Sequence, residues 1–294
     1  MHSKAEELEV VVDLGADIAE GPTWDAATGT LIFVDTMPGR IYRYDPIARA
    51  LSHIRIDQPV GAAIPRRRGG LVVAVRDGIG VVDETTGAIE IIAPIEAELP
   101  DNRMNDAKCD SHGRLWVGSL STSYVRGAGA LYRVDPDHRC VQVATGVSIS
   151  NGIAWSPDET RMYFNDTRGR GVDVFDYDIE TGAATNRRRL VAIDRSDGLP
   201  DGMTVDAEGH LWVAQFRGGI VRRYSPSGEP VGSVSIPVSQ VTSCAFGGPD
   251  LRDLYITSAT HTLTPEALRR EPLSGAIFRC RPGVAGIPAN AFAG

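Results

Sequence analysis

Long hydrophobic runs are missing from this 294-residue chain. No apolar stretch approaches the ~20 residues that a membrane-spanning helix needs. The opening MHSKAEELEV is charged and lacks the apolar segment of a secretory leader. Cysteine is scarce. Cys109, Cys140, Cys244 and Cys280 form no CxxC pair, and four in a chain this long make no disulfide framework. They read as reduced core thiols of a cytoplasmic protein. A basic excess is also lacking: the net charge of −8 argues against nucleic acid or an anionic membrane as the main partner. The histidines show no HExxH or other ligand spacing, and His112, His138 and His210 fall in turns and read as solvated. No GxSxG elbow, P-loop or Rossmann glycine pattern occurs, so serine-triad chemistry has no support. Helical periodicity is nearly absent, with TPEALRRE, residues 264–271, as one short exception.

What the chain does have is repetition. A turn followed by Leu or Met and a β-rich apolar run recurs as GTLIFVD, GGLVVAV, GRLWVGS, TRMYFND, GHLWVAQ and RDLYITS. The anchors are Leu31, Leu71, Leu115, Met162, Leu211 and Leu254, at gaps of 40 to 49 residues. A second strand-like phrase follows each, for example GRIYRYDP and GALYRVDP. Six repeats of this length, with about four strands each, fit an all-β six-bladed β-propeller spanning residues 1–294 as one domain. A sandwich would not need six matched copies. The unpaired LEVVVD, residues 8–13, is expected to complete the last blade and close the ring.

Counting back ten or eleven residues from each anchor reaches the start of the preceding, innermost strand. The positions are Glu20, Val60, Asn105, Asn151, Asp201 and Ser243. On a propeller these six ring one end of the central channel. Glu20, Asn105, Asn151 and Asp201 therefore face one another although far apart in sequence. Two carboxylates and two amide oxygens in a narrow channel are costly unless paired, and together they suit a hard divalent cation. The plainer alternative for Asn151 and Asp201 is a local turn bond before Gly152 and Gly202. Arg103 shares a strand face with Asn105 and would either hold a substrate oxygen or pair with Glu20 or Asp201. Asp106 should point the other way and be structural. Trp24, Trp116, Trp155 and Trp212 read as core.

The phrases AEGPTW, RMNDAKCDSHGRLWVG, ISNGIAWSPDETRMYFND, LPDGMTVDAEGHLWVA and LYITSA, in this order, resemble the regucalcin/gluconolactonase (senescence marker protein) family over about residues 20–280. The resemblance implies a six-bladed propeller with one divalent metal in its channel. It implies Glu20, Asn151 and Asp201 as metal ligands, and Arg103 and Asn105 as substrate contacts. In animal members a glutamate in the third-blade loop contacts sugar hydroxyls. Here that loop reads SLSTSYVRGAG and has no acid, leaving Ser121, Ser123, Tyr124 or Arg126 in its place.

The expected activity is metal-dependent hydrolysis of a sugar-acid lactone, with Asp201 as general base. A phosphotriesterase or other esterase on the same site is one alternative, and a non-enzymatic metal-binding or scaffold propeller is the other. All-oxygen ligation suits calcium, magnesium or manganese, with zinc and ferrous iron also compatible.

Overall fold

The computed structural model describes residues 8–294; His2 and the charged opening stretch lie outside the described residues. The fold is six four-stranded antiparallel sheets. Each blade follows one repeat of the sequence. The first blade is Ala19–Asp25, Thr30–Asp35, Arg40–Asp45 and Ala50–Arg55. The four that follow open with Ala62–Pro65, Asn102–Cys109, Ser150–Trp155, Leu199–Val205, and each then meanders outward through three more strands. The sixth combines Val241–Gly247, Asp253–Ser258 and Ile277–Cys280 with Glu9–Val12 from the start of the chain. That last pairing closes the ring as expected, with Val10 opposite Phe278 and Glu9 opposite Arg279. The Glu9 carboxylate accepts from the Arg279 guanidinium at 2.6 Å.

The six anchors sit on second strands, and all are buried. The first strands are buried nearly throughout and pack against those of the neighbouring blades around the axis. Outer strands such as Ala50–Arg55 and Pro230–Ser235 are largely exposed. Burial thus falls from axis to rim, and the polar residues of the first strands are in the least solvated part of the molecule.

Turn chemistry at the far ends of the blades repeats too. In the third and fifth blades a buried aspartate accepts from the indole of the tryptophan six residues on. Asp110 Oδ2 lies 3.1 Å from Trp116 Nε1, and Asp206 Oδ2 lies 2.9 Å from Trp212 Nε1. This is how two core tryptophans keep their N–H groups satisfied.

Several expectations need correcting. Trp24, Trp116 and Trp212 are buried, but Trp155 is only half-buried. Cys109, Cys244 and Cys280 are buried free thiols, whereas Cys140 is half-buried on the outer strand of its blade. His112 is exposed, but His138 and His210 are half-buried. His138 stacks on Phe292, and His210 Nδ1 lies 3.2 Å from Arg223 Nη2. Phe292 is remote in sequence, so turn composition could not reveal it, whereas the His210 partners lie in its own blade. The short helix is Pro265–Arg270, capped by Thr264. Among the described residues no helix is long and apolar enough to cross a membrane.

Candidate metal centre and active site

The polar ring is built on a repeated backbone irregularity. The first strands of five blades break register near the same end: between Glu20 and Thr23, Met104 and Ala107, Asn151 and Ile153, Pro200 and Met203, and Val241 and Ser243. A β-bulge turns a side chain out of the regular alternation. Here the bulges coincide with Glu20, Asn105, Asn151, Asp201 and Ser243. Val60 precedes the second blade's first strand, which pairs without a break. All six positions are buried, none more than 9% exposed.

Glycine follows four of these residues, Glu20, Val60, Asn151 and Asp201. A Cβ at Gly152 would stand 2.7 Å from the Asp201 carbonyl oxygen, and one at Gly202 would overlap the Ser243 side chain. Neighbouring first strands approach so closely at the axis that Asn-Gly and Asp-Gly are needed for blade-to-blade contact. The local bond considered for Asp201 coexists with this packing, since the Gly202 N–H also lowers the Asp201 carboxyl.

Hydrogen bonds link the ring into a chain. Arg103 Nη1 donates to the Met104 carbonyl at 3.0 Å and to Asn105 Oδ1 at 2.8 Å. Asn105 Nδ2 donates to the Ser150 carbonyl and to Asn151 Oδ1, both at 2.8 Å. Asn151 Nδ2 donates to Thr167 Oγ1 at 2.8 Å, and Thr167 donates on to the Pro200 carbonyl at 2.9 Å. Asn165 Nδ2 donates to the Asp201 carbonyl at 2.7 Å. These bonds fix the Asn151 amide with its oxygen on the Asn105 side. No hydrogen bond joins Arg103 to Glu20 or Asp201; burial lowers its guanidinium from the usual value, with Tyr124 and then Glu20 opposing.

The carboxylates are not so well served. Glu20 Oε2 accepts from the Gly21 N–H at 2.9 Å. Asp201 Oδ1 is buried and has no hydrogen-bond partner. Burial, then repulsion from Asp106, pushes the Glu20 carboxyl up to about 8, against partial relief from Gly21 and Arg103. Burial, then Glu20, then Asp106, holds the Asp201 carboxyl well above the usual range, with partial relief from the Gly202 N–H. Asp106 therefore faces the same space. The expectation that it points away fails because the bulge between Met104 and Ala107 breaks the alternation on which it rested. Lys108, two residues further on, partly offsets the Asp106 charge and donates from Nζ to the Met203 carbonyl at 2.8 Å. Sequence spacing missed both residues; the run of charges in RMNDAK was the only signal.

An orphaned carboxylate oxygen, a raised pair of acids and an amide oxygen held in place fit a hard divalent cation. The donor set is oxygen alone, from Glu20, Asn151 and Asp201, and a dication would favour the ionised acids that burial, and then charge crowding, now disfavour.

The model for the SMP-30/Gluconolactonase/LRE-like region matches residues 18–260. The chain belongs to this family. It is 37% identical to regucalcin of Xenopus laevis and 34% identical to that of Homo sapiens, with 98% of this chain and of each relative covered. Among solved structures it resembles a luciferin-regenerating enzyme, with TM-score 0.92, 34% identity, and 98% and 99% of the two chains covered. It also resembles a calcium-binding protein, regucalcin, from Agrobacterium tumefaciens, with TM-score 0.93, 29% identity, and 98% and 97% coverage.

In this family member the loop after the third blade's second strand places Ser121 in the interior, while Ser123, Tyr124 and Arg126 are exposed. Tyr124 adopts φ 55°, an unusual backbone for an aromatic residue, and its phenol lies near enough to Arg103 to favour the charged guanidinium. A second acidic group, Asp206, Glu208 and His210, lies at the opposite end of the fifth blade's first strand. Its buried member is already committed. Asp206 accepts from the backbone N–H groups of Glu208 and His210, from Trp212 and from Arg223. It is a structural knot.

Proposed function

We propose that the protein hydrolyses a sugar-acid lactone at the channel end marked by Glu20, Asn151 and Asp201. The observation that carries this reading is the buried Asp201 Oδ1, an unpaired base beside a second carboxylate and a held amide oxygen. Membership of a family whose name includes gluconolactonase supports the lactone class.

A dication held by Glu20, Asn151 and Asp201 supplies Lewis-acid polarisation of the ester carbonyl when bound. Asp201 takes the proton from the attacking water through Oδ1, which no protein donor blocks. Arg103 spends only Nη1 on the protein, so Nε and Nη2 remain to orient ring or hydroxyl oxygens of the substrate. Asn105, bonded at once to Arg103, Ser150 and Asn151, keeps the substrate-binding guanidinium in register with the ligand amide. Burial of the ring excludes bulk water from the acids and strengthens each of these interactions.

A pH-stat panel of glucono-, galactono-, xylono- and arabinono-lactone, with and without chelator, tests the proposal. Chelator-sensitive turnover of at least one lactone, abolished by Asp201→Asn, is expected; no turnover with any divalent metal added would overturn it. A plain metal-binding role is favoured by the description of the Agrobacterium relative as a calcium-binding protein. In that case metal binds without turnover.

A further inference from the structure

The opposite end of the channel holds a cavity of about 120 Å³. Residues from the first strands of all six blades surround it, two to four positions beyond the polar ring. At about 3.3 Å per residue, that is roughly 7–13 Å along the strands from the candidate metal centre. Its walls are largely apolar, with Trp24, Ile64, Trp155 and Phe246 among them. Lys108 is its one basic residue and Glu159 its one acidic residue.

This end is crossed by a strap. The Ala207 N–H donates to the Ala285 carbonyl at 2.9 Å, and the Gly286 N–H to the Leu251 carbonyl at 2.8 Å. On the far side of the axis the Phe292 N–H donates to the Pro65 carbonyl at 2.9 Å, and the Ala293 N–H to the Gly113 carbonyl at 3.0 Å. Between these tethers residues 287–290 form part of the cavity wall. Phe292 is fully buried, so the strap is pinned as well as bonded.

Two groups of the wall are short of acceptors. An ammonium has three donors, and Lys108 Nζ makes one hydrogen bond, to the Met203 carbonyl. The Trp155 indole Nε1 is buried with no partner. The cavity is smaller than the roughly 150 Å³ of a sealed apolar cavity that takes benzene, but it opens to solvent, so a ligand of benzoate size would project from its mouth. We infer that it is a binding site for a small carboxylate with an aromatic or short aliphatic body, its anionic end on Lys108 and its apolar end between the ring side chains and the strap. Walls that are more apolar than polar, with Lys108 as the one cation, favour an anion that carries an apolar body.

Benzoate is the probe, titrated into the full-length protein and followed by calorimetry and tryptophan fluorescence, with benzamide as the neutral isostere. Saturable one-site binding of benzoate is expected, with benzamide weaker by about tenfold or more, as loss of a charge-assisted hydrogen bond implies. Lys108→Met should weaken benzoate by a similar factor. Ala245→Leu, which fills the cavity without altering charge, should abolish binding and decides the matter if Lys108→Met does not fold. Asp201→Asn should leave benzoate binding in place. Absence of saturable binding, equal affinity for benzamide, or loss of binding in Asp201→Asn alone would each overturn the assignment.

Discussion

Asn105 Nδ2 reaches across the junction between the third and fourth blades and donates to Asn151 Oδ1 at 2.8 Å. The same amide accepts from Arg103 at 2.8 Å through its oxygen. One side chain thus sets the orientation of a candidate metal ligand and of the cation beside it. Among the four polar spokes expected from the sequence, the two amides are hydrogen-bonded to each other and the two acids act on each other through charge.

Removing that link should weaken the metal site without removing any ligand. Asn105→Leu leaves Asn151 Oδ1 without its donor and Arg103 Nη1 without its acceptor. Partners that orient a ligand typically contribute 10–100-fold to metal affinity. A loss of about that size is expected for calcium or manganese, measured by calorimetry on folded protein. Unchanged affinity would mean that Asn151 is held by Thr167 alone.

Asp201→Asn separates catalysis from stability. The substitution keeps shape and removes a proton acceptor, so lactone turnover should fall by at least about 10²-fold. The same change relieves repulsion with Glu20 and Asp106, so metal-free protein should melt no lower than the wild type. Turnover assays and thermal melts on one preparation check both outcomes. Full activity in this variant would end the proposed mechanism.

The architecture was legible because each blade must bury an apolar residue where its second strand begins, which keeps Leu31, Leu71, Leu115, Met162, Leu211 and Leu254 at a steady period. The ring was legible because the first strand and its turn are nearly constant in length, so a count from those anchors finds Glu20, Asn151 and Asp201. Asp106 and Lys108 were not, since a bulge between Met104 and Ala107 cancels the period of two on which facing was judged. His138 and the strap were hidden for another reason. Their partners, Phe292 for the histidine and Pro65, Gly113, Asp206 and Leu251 for the strap, are set by chain crossing and leave no local pattern.

Acidity gives a further test. Glu20 has an ordinary value of 4.5 and is raised to about 8 in the fold, with Asp201 also raised. An acid whose folded value lies above its unfolded value stabilises the fold fully below the unfolded value, and that contribution is lost as pH rises through the folded one. Metal-free protein should therefore lose thermal stability between about pH 4.5 and 8. Saturating metal should remove the loss, because the dication favours the ionised acids. Glu20→Gln should flatten the metal-free profile. A metal-free melting temperature that climbs across this window would contradict the crowding of carboxyls at the axis.

The glycines after the ligands give the last prediction. At Gly152 a methyl group would meet the Asp201 carbonyl oxygen at 2.7 Å and Asn165 Nδ2 at 2.8 Å, both parts of a hydrogen bond between adjacent blades. Neither neighbour is the free end of a flexible chain, so the strands themselves must separate. Gly152→Ala should cost about 1–3 kcal/mol in denaturant unfolding, the usual range for an overpacked interior. It should also weaken metal binding, since Asn151 and Asp201 are carried by the two strands forced apart. Gly15→Ala is the control. It has positive φ but nothing within 4 Å of the added carbon, so it should cost stability through backbone strain alone and leave metal affinity unchanged. If Gly152→Ala lowered stability without touching metal affinity, the close packing of the first strands would be a feature of the fold with no part in shaping the centre.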